Sequence, residues 1–112
     1  MSPATAAQCR ANLERAQWIR RQRVLWKRMV AGFPEPEALR EAAALVAEPP
    51  EWALTWRLAD VLAALPRVGA VTVRRRMYVW GCRDRLCLGS MSERQRRAVI
   101  DWARERAGAR AA

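Results

Sequence analysis

The chain reads Ala64-Leu65-Pro66-Arg67-Val68-Gly69-Ala70-Val71-Thr72-Val73-Arg74-Arg75-Arg76 near its middle, a proline turn that leads into an arginine-rich segment. A glycine such as Gly69 can take a backbone conformation that a side chain would forbid, and it can lie close to another molecule. The helix expected after the turn presents free N–H groups at its start, where anions are favoured. The stretch therefore predicts a turn and a helix start that bind a phosphate backbone without reading bases.

Apolar residues at helical spacing lie on both sides of this stretch and predict an all-α chain. Leu58 and Leu62 are four residues apart on one face of the preceding helix. Gly32-Phe33-Pro34 is expected to end a long first helix, and Ser92 with Gln95 forms a capping-box pattern. Helices are predicted at residues of about 5–31, 36–47, 55–64, 71–80 and 92–107.

The net charge of +10 is unevenly distributed along the 112 residues. Residues 1–30 hold seven basic side chains and one acidic one, whereas residues 31–66 hold two basic and six acidic ones. Residues 67–112 hold twelve basic and four acidic side chains. All basic residues except Lys27 are arginines, whose planar guanidinium suits phosphate. This arrangement predicts a polyanionic partner.

The composition argues against several other classes of protein. The chain has no histidine and no pairing of a Ser or Cys nucleophile with a base, so we expect no enzyme activity. Cys9, Cys82 and Cys87 make neither a disulfide framework nor a four-ligand zinc site, so no metal and no cofactor are expected. Without a signal peptide or a membrane span, a cytoplasmic location is expected, with no membrane partner.

Residues 57–69, with the segment that continues to Gly81, carry a resemblance to a known family. The order of helix, Leu-Pro-x-Val-Gly turn, arginine-rich helix, basic loop and helix resembles the helix-two-turns-helix domain. From about Arg10 to Arg104 the chain is similar to the actinobacterial integration host factor family, in which a long basic N-terminal helix precedes such a domain. We expect three parts: the long basic N-terminal helix at 1–33 and the compact helix-two-turns-helix domain at 34–108, which the resemblance implies, and a frayed tail at 109–112.

The resemblance also implies a function. Members of the family are all-α nucleoid proteins that bind duplex DNA with little sequence preference, bend it, and assist site-specific recombination in host–phage settings. By position, three groups of residues are implied as DNA contacts. They are the turn and the helix after it (Pro66, Arg67, Val68, Gly69, Thr72, Arg74, Arg75), the basic loop (Arg83, Arg85) and the long helix (Arg20, Arg21, Lys27).

The chain departs from the family pattern at two places. Arg67 stands where members usually have glycine and Ala70 where they usually have lysine, so the turn is less permissive, although Arg67 supplies a positive charge. A second departure is in the loop that is usually richer in arginine and glycine, which is interrupted here by Asp84, Leu86, Cys87 and Leu88.

Several alternatives remain open from the sequence. The turn also fits an ordinary connection between helices, and the three arginines at 74–76 fit a solvated helix face. The basic first helix also fits an anionic membrane surface, although its apolar residues form no broad stripe. A structured-RNA-binding protein and a protein adaptor for a recombinase are the competing functions. A monomer is expected rather than an oligomer, and the tryptophans at 52, 56, 80 and 102 are expected to pack in the core.

Overall fold

The chain folds into five α-helices within residues 3–111, which are the residues that this computed structural model describes; the side chain of Pro3 is outside the description. Two short 3₁₀ turns, Glu51–Ala53 and Leu88–Ser90, interrupt the connections. The α-helices are α1 (Pro3–Ala31), α2 (Glu35–Ala47), α3 (Leu58–Ala63), α4 (Ala70–Val79) and α5 (Glu93–Ala111). The predicted all-α fold with a long first helix is confirmed.

The core lies between α2 and α5, which pack against each other along most of α2. The predicted apolar face of α2, which includes Leu39 and Val46, is buried, and α5 buries Val99 and Ile100 against it. Removing these apolar surfaces from water is the main stabilising term of the fold. Leu58 from α3 is fully buried in the same core, so the core also fixes the two helices that flank the turn.

The N-terminal part of α1 extends away from this core. A helix of 29 residues is about 44 Å long, and the molecule measures 60 × 30 × 23 Å. Trp26 and Val30 are the buried residues of α1, and no residue from 4 to 25 is buried. The polar N-terminal part of α1 therefore projects from the core.

A cluster of tryptophans joins α1 to the rest of the molecule. Trp26 and Trp56 meet edge to face, and Trp52 lies beside Trp56 with ring centroids 6.1 Å apart. Arg23 donates hydrogen bonds to the Trp52 carbonyl oxygen at 3.1 Å and to Thr55 Oγ1 at 2.7 Å. This α1 junction gives three of the six tryptophans a packing role. Trp80 packs against Trp102 elsewhere, at 5.5 Å between centroids. The expected core position holds for Trp56, whereas Trp52, Trp80 and Trp102 are half-buried and pack against the core.

The third helix starts at Leu58 and not near residue 55, where the sequence predicted it. The preceding segment pairs with the loop before α5 in a short antiparallel arrangement. Leu58 N–H donates to the Leu86 oxygen at 2.9 Å, Leu88 N–H donates to the Trp56 oxygen at 3.0 Å, and Gly89 N–H donates to the Leu54 oxygen at 2.8 Å. These long-range bonds hold residues 54–56 in a turn and Arg57 in an extended conformation, which delays the start of the helix.

The last helix continues to Ala111, beyond the predicted end near residue 107. Ala107 is buried against the core, and Arg110 forms an ion pair with Glu35 at 3.5 Å. Residues 109–111, which were expected to fray, are held in helical conformation by these contacts. Ala112, the last residue of the predicted tail, lies outside the described residues.

Candidate nucleic-acid interface

The turn between α3 and α4 presents its backbone, rather than a row of side chains, to solvent. Val68 is buried, so it anchors the turn to the core, and its N–H donates to the Leu65 oxygen at 3.4 Å. Arg67 and Gly69 on either side of it are exposed, and Pro66 is half-buried. The prediction that a ligand would meet the backbone of Pro66 to Gly69 is compatible with this geometry.

The residue of the turn with an unusual backbone is Arg67, not Gly69 as expected. Arg67 has a φ of 64°, in the left-handed region, and it is the one non-glycine residue with positive φ within residues 3–111. Gly69 has a φ of −80° and a ψ of 163°, which any residue adopts. A Cβ built on Gly69 meets no atom within 4 Å. The expectation about Gly69 is therefore wrong, because the chain reverses two residues earlier.

The start of α4 is open to an anion. Gly69 is its N-cap residue, no side chain caps this end, and the first turn carries no acidic residue. The Gly69 oxygen accepts the Val73 N–H at 3.1 Å, which begins the helical bonding. The N–H groups before Val73 point outward with the positive end of the helix dipole. An anion placed here meets favourable partial charges and no competing carboxylate cap.

The predicted side chains on α4 lie on different sides of the helix. Val73 and Met77 are buried, which leaves Arg75 on the outward face. Thr72 and Arg74 are two residues apart and therefore about 160° apart around the helix axis. Arg75 is thus the central basic residue of this face, and Thr72 and Arg74 occupy opposite flanks.

Arg74 shares a groove with carboxylates as well as with its basic neighbours. The groove lies between α3 and α4, and its lining includes Asp60 and Asp84 in addition to Arg57 and Arg74. Arg74 also borders Arg75 on the other side. A phosphate near Arg74 would therefore meet two acidic residues that are absent from the surroundings of Arg75.

The second predicted turn is a fixed loop with its two arginines exposed. Gly81, with a φ of 66°, ends α4 as predicted, and Cys82 N–H donates to the Met77 oxygen at 2.8 Å. Arg83 and Arg85 follow and are exposed. The loop therefore holds its basic residues at a defined place beside the end of α4.

Two further contacts fix the far side of this loop. Arg96 of α5 donates hydrogen bonds to the Leu88 oxygen at 3.0 Å and to the Val46 oxygen at 2.6 Å. A Cβ on Gly89 would lie 2.9 Å from the Leu54 oxygen, so only glycine allows the loop to approach that closely. The sequence indicated neither contact, because both join residues that are far apart in the chain.

The basic residues of α1 form a separate surface. Arg20 and Arg21 are exposed and line a shallow groove with Arg28, which the sequence did not single out. Lys27 is also exposed, and its Nζ lies 6.0 Å from the centroid of the Trp56 ring at the α1 junction. Arg20 and Lys27 are seven residues apart and thus lie on one side of the helix. These residues are close to one another but belong to a different element from the turn.

The exposed arginines are available to an external anion. Within residues 3–111 the ion pairs join Arg15 to Glu51 and Glu35 to both Arg106 and Arg110. None of the predicted contact arginines takes part in these pairs. No carboxylate within salt-bridge distance therefore neutralises their charge in the described part of the chain, although Asp60 and Asp84 line the groove beside Arg74.

Two residues that sequence reasoning missed lie directly behind the turn. Arg106 of α5 donates from Nε to Glu35 Oε1 at 3.0 Å and from a terminal nitrogen to the Arg67 oxygen at 3.2 Å. Glu35 is the buried charged residue of the core. Glu35 and Arg106 are 71 positions apart in the chain, so no local pattern could have paired them.

Burial changes the acid–base properties of two side chains near these elements. It raises the pKa of the Cys82 thiol, which keeps that sulfur neutral. It also lowers the pKa of the Arg23 guanidinium at the α1 junction, while nearby Cys87 and Asp60 act in the opposite direction. Both groups hold structure together rather than forming part of an exposed reactive centre.

The chain was compared with protein families, curated proteins and solved structures. No family model, no curated protein and no solved structure matches the chain. Among residues 3–111, no helix is both long and apolar enough to cross a membrane. No three His, Cys, Asp or Glu side chains in the same described part of the chain are placed to hold a metal ion.

Proposed function

We propose that this chain is a non-enzymatic architectural protein that binds the phosphate backbone of duplex DNA with little sequence preference. The observation that carries the proposal is the open start of α4, next to exposed Arg67 and Arg75. Helix N–H groups and arginines recognise phosphate oxygens, which every base sequence presents equally. A nucleoid location follows from such a function.

The proposed contact centres on one phosphate at the start of α4. The outward N–H groups of the first turn of α4 donate to it, and the guanidinium of Arg75 lies on the same outward side of the helix. Thr72 and Arg67 add a hydroxyl and a charge on its two sides. Because guanidinium groups bind phosphate in pairs of hydrogen bonds, each arginine also fixes the orientation of the backbone.

Two further surfaces extend the proposed contact. Arg83 and Arg85 of the second turn reach a neighbouring phosphate run, and Arg20, Arg21 and Lys27 of α1 reach the flank of the same duplex or a second duplex. A duplex that engages both the turn and α1 must bend to follow them, at a deformation cost that the added contacts offset. Such bending would assist the assembly of a site-specific recombination complex.

The resemblance of residues 57–69 to the integration host factor turn supports the same proposal from the sequence side. So does the charge, because the segments that supply the three surfaces are the two basic ends of the chain. The acidic middle segment lies mostly in α2 and its flanks, and its Glu35 and Glu51 are paired within the protein.

The test is fluorescence-anisotropy titration of two unrelated duplexes of about 20 base pairs over a series of salt concentrations. Backbone binding predicts similar Kd values for the two sequences and a steep, parallel decrease of log affinity with log salt. The absence of binding at low salt would overturn the proposal. A large preference for one sequence would overturn the claim of backbone recognition.

A protein adaptor is the second candidate, and one observation favours it. Val71, Tyr78 and Val79 are exposed on the outer side of α4, and Tyr78 is 87% exposed. An apolar patch of this kind is usual at protein contacts. An adaptor would remain bound to a recombinase at salt concentrations that dissociate the protein from DNA. Competition between duplex DNA and duplex RNA of one sequence distinguishes structured-RNA binding from both of these functions.

A further inference from the structure

The left-handed backbone of Arg67 needs support from the rest of the fold. A φ of 64° brings the Cβ of an ordinary residue close to the following carbonyl oxygen, so residues other than glycine avoid it. Conformations of this kind persist where surrounding contacts impose them. The neighbouring Val68 is anchored by burial in the core. On the other side of Arg67, the contact that meets its main chain is Arg106.

Arg106 is itself fixed from three directions. It donates to Glu35 Oε1 at 3.0 Å and to the Arg67 oxygen at 3.2 Å, and its Cζ lies 5.7 Å from the centroid of the Trp102 ring. Its side chain is 20% exposed. A planar guanidinium that stacks on an aromatic ring and bonds two acceptors has one orientation available to it. The direction of the Arg67 oxygen is thereby fixed as well.

Glu35 supplies a rigid base for this contact. It is buried at the start of α2, between Pro34 and Pro36, where the backbone has little freedom. A buried carboxylate must keep its charged partners, because leaving it alone in the core is strongly unfavourable. Arg106 and Arg110 are those partners. The α2 start, the α5 end and the turn therefore meet at one carboxylate.

We propose that the Glu35–Arg106 pair is a positioning device that holds Arg67 in its left-handed conformation and so sets the shape of the phosphate-binding turn. Arg106 acts through the Arg67 main chain and is not itself a DNA contact. The proposal rests on the proposed function for its effect on DNA, although its effect on the turn can be measured without DNA.

A glycine at position 67 would remove the need for this device. Glycine adopts positive φ as readily as negative φ, so a turn with Arg67→Gly keeps its shape whether or not Arg106 holds it. The effect of changing Arg106 should therefore depend on the residue at 67. A double-mutant cycle measures that dependence directly.

The experiment compares Arg106→Gln with Arg104→Gln, an exposed arginine of the same helix whose loss changes the charge equally. Each variant is made in the full chain with Arg67 and with Arg67→Gly. The first measurement is the ¹H–¹⁵N NMR shift of the Val68, Gly69 and Ala70 amides without DNA. The second is the Kd for one duplex of about 20 base pairs over a salt series.

With Arg67 present, we expect Arg106→Gln to move the turn amides and to raise Kd roughly tenfold. We expect Arg104→Gln to leave the amides in place and to raise Kd no more than about twofold. With Arg67→Gly, the effect of Arg106→Gln on Kd should fall to that of Arg104→Gln. Should Arg106→Gln fail to fold, Arg106→Lys keeps the ion pair with Glu35 but cannot bridge both acceptors, and it should move the same amides.

Unmoved turn amides in both Arg106 variants would overturn the proposal. An equal rise in Kd in both backgrounds would also overturn it, because Arg106 would then be a direct phosphate contact. If the unchanged protein does not bind DNA but the amides move only when residue 67 is arginine, the proposed function fails and the positioning role in the turn stands.

Discussion

Trp26 of α1 and Trp56 of the segment before α3 meet edge to face, with ring centroids 5.5 Å apart and ring planes at 87°. Both rings are almost completely buried. This arrangement directs the positive edge of one ring at the negative face of the other. It lies at the base of a helix whose preceding residues are not buried, so the direction of α1 depends on this contact and on the hydrogen bonds of Arg23.

Arg23→Ala should lower the free energy of unfolding by about 1–3 kcal/mol, because it leaves the Trp52 oxygen and the Thr55 hydroxyl without their donor. Arg20→Ala is the matched control: Arg20 is exposed on the same helix, and its loss should change stability by less than about 0.5 kcal/mol. Urea denaturation followed by tryptophan fluorescence measures both. Equal destabilisation by the two changes would show that Arg23 has no special place at the junction.

Gly89→Ala should destabilise the chain by about 1–3 kcal/mol, since the added Cβ would lie 2.9 Å from the Leu54 oxygen. Gly108→Ala is the control, and its expected change in stability has the opposite sign. Gly108 is exposed in α5 with no atom near its Cβ position, so alanine there should stabilise by about 0.5–1 kcal/mol. The midpoints of thermal unfolding of the two variants should therefore move in opposite directions. A neutral Gly89→Ala would mean that the loop is not held against Leu54.

Arg75→Gln should weaken binding to unrelated duplexes about equally and should flatten the slope of log affinity against log salt by roughly one unit, since one phosphate contact is lost. Arg40→Gln, on the exposed side of α2, removes the same charge outside the proposed surface. It should leave the slope unchanged. Anisotropy titration across the salt series distinguishes the two, and a loss confined to one sequence would contradict backbone recognition.

Thiol labelling should follow the burial of the three cysteines. Cys9 is exposed and should react first with a thiol reagent at neutral pH, whereas Cys82 is buried with a raised pKa and should react last. Because the folded-state pKa is raised, the native state disfavours the thiolate, and stability falls as pH rises above the ordinary value near 9.0. Replacing Cys82 by alanine should remove the part of the fall in stability at alkaline pH that this thiol causes. Rapid labelling of Cys82 in the native protein would contradict the packing described.

The local features of the fold could be predicted from the sequence because local chemistry determines them. Ser92 and Gln95 form the reciprocal capping box, with Ser92 N–H to Gln95 Oε1 at 2.9 Å and Gln95 N–H to Ser92 Oγ at 3.1 Å. Gly32 and Gly81 follow α1 and α4 as expected. The apolar faces of α2 and α4 are buried as the spacing indicates.

The remaining features depend on contacts that no local pattern contains. The pairing of residues 54–58 with 86–89 moved the start of α3, although the intervening sequence favours helix. Glycine is the residue in which a positive φ is expected first. In this fold the positive φ is at Arg67, whose carbonyl oxygen is held by Arg106, 39 positions away in the chain. The candidate site divides in the same way. The basic residues that the resemblance implied as contacts are exposed, while the carboxylate and guanidinium behind the turn became visible only in three dimensions.

The segment of residues 54–57 before α3 is bonded from both sides. Thr55 accepts Arg23 of α1 through its hydroxyl and the Cys87 thiol through its carbonyl oxygen, and the Trp56 carbonyl accepts Leu88 N–H while its ring packs on α1. The base of α1 and the second turn are thus attached to one short backbone segment. That segment fixes the angle between the two basic surfaces. A duplex that lies along both has to take its curvature from the protein.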